Sequence, residues 1–124
     1  MLENLKSVQR RALTAAQFRR LALNLPSATE SSHMNHPDFR VAGKIFATLG
    51  PQETWGMVKL TPQQQTEFIQ NHPQAFEPIS GAWGRRGATK VLLKTATKAA
   101  VAPALVAAWT NIAPEHLLDR SGDT

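Results

Sequence analysis

The chain of 124 residues contains no cysteine. Disulfides, thiolate zinc sites and a cysteine nucleophile are therefore excluded, and the composition fits a reducing, cytoplasmic setting. Long apolar runs are missing too. The opening segment MLENLKSVQRRALTA lacks the continuous apolar core of a secretory signal. The longest apolar stretch, AAVAPALVAAW, is far shorter than a membrane span and carries a proline. The expectation is a soluble protein with no membrane partner. Serines are few, none sits in a nucleophile elbow, and no carboxylate pair stands out, so no enzyme is expected. There is no internal repeat and no linker. The length fits one domain with one core, residues 1–10 forming a loose extension.

Acidic residues are absent from one long stretch. None lies between Glu77 and Glu115, whereas Arg85, Arg86, Lys90, Lys94 and Lys98 all do. The formal net charge is +5 and the isoelectric point about 10.3. Such an excess favours polyanions without saying which.

The hydrophobic pattern predicts a helix over residues 4–25, with Leu5, Val8, Ala12, Ala15, Phe18, Ala22 and Leu25 at three- and four-residue steps and Pro26 ending it. Its arginines do not share a face, so one or two of Arg10, Arg11, Arg19 and Arg20 should lie beside the core with their heads in solvent. Phe39-to-Thr48 alternates like two strands closed by Ala42-Gly43, a register that sets Phe39 opposite Phe46 and Val41 opposite Lys44. WGMVKL at 55–60 reads as a further strand. Thr61-Pro62-Gln63-Gln64 carries an N-cap, a proline at the first helical position and a capping box, starting a helix that runs to about Asn71. Residues 76–83 read as an irregular edge strand, and TKVLL as another strand. The last helix covers about 97–112 and presents Val101, Leu105, Ala108, Trp109 and Ile112 to the core. Pro103 either kinks it or marks where its regular part begins. Short connections between strands imply an α+β fold with a mostly antiparallel sheet and helices on one face.

Three groups of residues are candidates for chemistry. Gly84-Arg85-Arg86-Gly87 fits a type I turn with Gly87 in the left-handed region, projecting both guanidiniums from a hairpin tip where they could meet phosphates. The plainer reading is a solvated hairpin whose charges protect a sheet edge. The same residues match the GxxG loop of KH domains, but here they lie between strands, and no Gly-Lys-Ser/Thr follows to make a P-loop. No cofactor is implied. His33, His36 and Asp38 have metal-ligand spacing, yet no cysteine supports them, and turn chemistry beside Pro37 is the simpler account, so no metal is expected. Trp109 belongs to the core, and Trp55 and Trp83 belong to the core or its rim rather than serving as stacking platforms.

The strings HPDFRVAGKIFATL, VKLTPQQQ, FEPISGAWGRRGATKVLL and AWTNIAPEHLL, taken in order from about Phe18 to Leu118, resemble the MmcQ/YjbR family. The chain is similar to the YjbR side of that family. GAWGRRGAT stands where the other branch carries a histidine, asparagine and lysine pattern ending in tryptophan. The resemblance implies a frataxin-like α+β fold and a predicted DNA-binding role through a "double wing". The wings would be the Phe39–Phe46 hairpin and the one turning at Arg85-Arg86. Frataxins bind iron on an acidic ridge, and this chain has no such cluster in its first helix.

The resulting expectation is a non-enzymatic DNA-binding domain. Arg85, Arg86 and Lys90 would contact phosphates, with Arg40, Lys44 and Lys59 as further candidates. The alternative is a module for a protein or small ligand, with a groove lined by Trp83 and Lys59.

Overall fold

The computed structural model describes residues 12–122. The first helix among the described residues, α1, is Ala15–Leu23. It starts later than periodicity suggested because Thr14 caps it, accepting from Gln17 N–H while the Gln17 side chain accepts from Thr14 N–H. Leu5, Val8, Arg10 and Arg11 lie outside the described residues. Phe18 and Ala22 are the buried positions of α1. Arg19 runs along its edge and ion-pairs with Glu30 at 3.0 Å and Glu53 at 3.5 Å.

Six strands follow: β1 Thr29–His33, β2 His36–Val41, β3 Lys44–Leu49, β4 Gly56–Lys59, β5 Phe76–Pro78 and β6 Ala88–Val91. They form one sheet in the order β1-β2-β3-β4-β6-β5, every neighbouring pair antiparallel. The fold is α+β, as the sequence pattern indicated. Strand β1 was not foreseen, since TESSH has no apolar alternation to announce it. It is joined to β2 by Met34-Asn35, both at positive φ. The β2–β3 hairpin does turn at Ala42-Gly43 and does pair Val41 with Lys44. Phe39, however, pairs with Ala47 rather than Phe46, because a bulge shifts the register after Phe39. Both rings are fully buried all the same.

The helix α2, Pro62–Asn71, has the expected Thr61 cap and Gln64 capping box. A short helix α3, Ala82–Arg85, stands between β5 and β6. The helix α4, Lys98–Ile112, begins at the Thr97 cap and runs through Pro103, which lies on its exposed side. A final helix α5, Glu115–Gly122, completes the order.

The long helices share one face of the sheet. Helix α4 packs on β3 and β4 and against α1. A side chain at Gly56 in β4 would run into the Phe18 ring, so that glycine lets α1 approach the sheet. Helix α2 sets Phe68 edge-on to Phe76 of β5, with ring centroids 5.6 Å apart. Phe39, Val41, Leu49, Val58, Val91, Val101 and Leu105 fill the layer between sheet and helices. Trp109 closes it, donating its indole N–H to Pro26 O at 2.9 Å. Strand alternation then sends Arg40, Ile45, Thr48, Met57, Lys59, Ala88 and Lys90 to the opposite face, which no long helix among the described residues covers.

Candidate functional site

That open face carries a groove of about 680 Å³. Its floor is sheet, through Ile45, Thr48, Met57 and Lys59, and α3 supplies one wall with Trp83 and Arg86. His33 and Met34, at the β1–β2 turn, reach into it from the other side. Among the described residues, no carboxylate lines it.

The wall at α3 is built by backbone packing. Residues 79–87 are too many for a tight hairpin, so instead of a type I turn the segment coils once, with Arg86 N–H donating to Ala82 O at 3.1 Å. The edge strand accordingly ends at Pro78. Gly84 is buried against Ile79, and a side chain there would collide with the Ile79 carbonyl. Gly87 has φ +114° and presses on the Leu60 backbone, which only glycine tolerates. Gln65 of α2 locks the coil in place, its amide donating to Gly84 O and Ala88 O, each at 3.0 Å. Much of the GAWGRRGAT pattern therefore encodes this connection.

The same coil presents Trp83 outward, 61 % exposed. Two basic side chains flank its ring: Lys59 Nζ lies 5.9 Å and the Arg86 guanidinium 6.0 Å from the centroid. A second pairing sits beside it, with Lys90 Nζ 5.1 Å from the Trp55 ring. Trp55 lies flat on Gly50, where any side chain would strike its ring. Arg85 is exposed on α3 but does not line the groove.

The far end is built from side chains. Asp38 is fully buried. Arg40 grips it with two hydrogen bonds, Nε to Oδ1 at 2.8 Å and an Nη to Oδ2 at 3.0 Å, and His33 Nδ1 approaches Oδ2 at 2.7 Å. Asp38 thus sits inside β2 as an ion-pair acceptor, not in a turn beside Pro37. The Arg40 guanidinium, helped by His33, holds its carboxyl below the usual carboxylate range although burial pushes the other way. The His36 ring packs edge-on to His33, centroids 4.6 Å apart, and its Nδ1 is buried without a partner. No group of three metal-ligating side chains forms among the described residues.

The structure thus sorts the candidate cations. Lys59, Arg86 and Lys90 gather around the two tryptophans. Arg40 shares the face but is engaged by Asp38. Lys44 pairs in register with buried Val41, so it projects from the other side of the sheet. Trp83 was expected in the core or its rim and instead stands largely in solvent. The engagement of Arg40 was legible in part, because Asp38 and Arg40 are two apart on a strand and share a face.

A YjbR family model matches residues 23–111. The chain belongs to the YjbR family. The fold of this YjbR chain is similar to the crystal structure of Deinococcus radiodurans protein DR2400, which carries the family-model domain DUF419. That match has a TM-score of 0.65 and 19% sequence identity, and it covers 82% of this chain and 79% of the other. At that identity the likeness speaks to fold alone. Comparison with curated proteins finds no match. No described helix of this YjbR chain is long and apolar enough to cross a membrane.

Proposed function

We propose that this YjbR-family protein is a non-enzymatic nucleic-acid-binding domain that takes an unpaired strand on the open face of its sheet. The observation that carries the reading is the exposed Trp83 ring flanked by Lys59 and Arg86, in a groove that no carboxylate of the described residues lines. Bases would stack on Trp83 and Trp55, and phosphates would meet Lys59, Arg86 and Lys90, with Arg85 at the rim. Stacking on aromatic side chains is sequence-tolerant and contributes about 1–3 kcal/mol per base. A duplex hides its base faces and would be left with phosphate contacts only. Arg40 and Lys44 are not part of this contact set.

The test is titration of a labelled oligo-dT of about ten nucleotides across a salt series. Three phosphate contacts on a single strand give a log–log salt slope of about −2. Trp83→Ala weakens binding with the slope unchanged, whereas Arg86→Ala makes the slope shallower by about 0.7. Absence of binding at low salt, or equal binding by a Lys59→Ala/Arg86→Ala variant, overturns the reading. A small anionic aromatic ligand is the second reading, favoured by the groove volume of about 680 Å³, which suits such molecules. It would raise the melting temperature where oligonucleotides do not.

A further inference from the structure

His33 touches both the buried ion pair and the groove. Its Nδ1 faces a carboxylate that Arg40 already holds with two hydrogen bonds. A carboxylate held in this way is ionised and offers only lone pairs. The proton of that hydrogen bond therefore sits on Nδ1. In a neutral imidazole the other nitrogen must then be an acceptor. The His36 ring packs edge-on against the same imidazole and helps fix its orientation. The Nε2 lone pair is the polar feature His33 has left for a ligand. The charged groups around it are Asp38 and Arg40 on β2, with His36 beside them, and Lys59 and Arg86 across the groove.

We infer that His33 is a specificity-determining residue of the groove, its Nε2 accepting a hydrogen bond from the exocyclic amino group of an unpaired cytosine or adenine, with Asp38 as the positioning residue. The inference rests on the single-strand reading above. Lys59, which flanks Trp83, lies on β4, three sheet spacings from β1 or roughly 14 Å, so a base at His33 and one at Trp83 belong to different nucleotides of one strand. Cytosine carries an amino donor at the edge position where thymine carries a carbonyl acceptor. Thymine there would set lone pair against lone pair.

The experiment compares oligo-dC with oligo-dT on the full chain and on its His33→Ala and Arg86→Ala variants, at mildly alkaline pH. Circular dichroism and thermal melting check that the variants are folded. The expected result is a preference for oligo-dC of roughly five- to tenfold, which disappears in His33→Ala. Nitrogen-15 NMR of His33 should show protonated Nδ1 and unprotonated Nε2, and the Nε2 resonance should move toward the protonated position on adding oligo-dC but not oligo-dT. Equal binding of the two oligomers, lost in Arg86→Ala, overturns the role of His33 and leaves the single-strand reading standing. A dC preference that survives His33→Ala, or a proton found on Nε2, does the same. Failure of both oligomers to bind at low salt overturns both proposals.

Discussion

The two ends of the open sheet face carry basic residues on opposite terms. At the α3 end, Lys59 and Arg86 flank an exposed tryptophan, and the scaffold beneath them is backbone against backbone. At the β1–β2 end, Arg40 is part of the scaffold, since its guanidinium neutralises a carboxylate that is fully buried. A formal charge of +5 counts these cations alike. Their physical roles differ because one group can meet a new anion at little cost and the other must first abandon Asp38.

Substitutions should separate the two ends. The largest loss is expected from Gly84→Ala, about 3 kcal/mol, because the added methyl meets the Ile79 carbonyl and forces the coil off α2. Urea unfolding measures it, and Trp83 fluorescence should change in the folded state. Asp38→Ala follows, at about 2 kcal/mol, through loss of hydrogen bonds to a buried charged group. Near-wild-type stability for that variant would mean the far end is not held by its ion pair.

The same pair makes a pH prediction. The Asp38 carboxyl is depressed below its ordinary value of 3.8. A depressed folded value means the stabilisation is complete above the unfolded value and is lost as pH falls through the folded one. Acid unfolding should therefore deepen below pH 3.8. In Arg40→Ala, with the main cause of the depression removed, the depression and with it this acid loss become smaller. An acid limb identical to the parent's would contradict the assignment.

Gln65→Ala should cost about 1–2 kcal/mol, since two backbone carbonyls lose their shared donor. The smallest stability change belongs to Arg86→Ala, whose denaturation midpoint should match the parent's while its salt-dependent oligonucleotide binding weakens. Were Arg86→Ala instead to unfold the protein and Asp38→Ala to spare it, the contrast between the two ends would be reversed.

Much of the framework was legible along the chain. Thr61-Pro62-Gln63-Gln64 announces α2 through local capping chemistry, Ala42-Gly43 announces a hairpin, and the stripe from Val101 to Ile112 announces α4. These rest on interactions within a few residues, which a linear reading captures. Strand β1 escaped because its side chains are mostly exposed and its stability comes from pairing with β2. The start of α1 moved because a capping box outweighed periodicity. The site was less legible. Arg85 and Arg86 look equivalent in sequence, yet one turn of helix sends only Arg86 into the groove.

The sequence by itself determined the α+β class, the family, the capped helices and the supply of basic residues, because each depends on spacing or composition. Tertiary structure decided which of those residues are engaged by their neighbours. Sheet order brings Lys59, Arg86 and Lys90 to two tryptophans from separate segments, whereas strand alternation binds Arg40 to Asp38 and turns Lys44 away. Charge is a property of the residue, but its availability depends on what folding places within hydrogen-bonding distance.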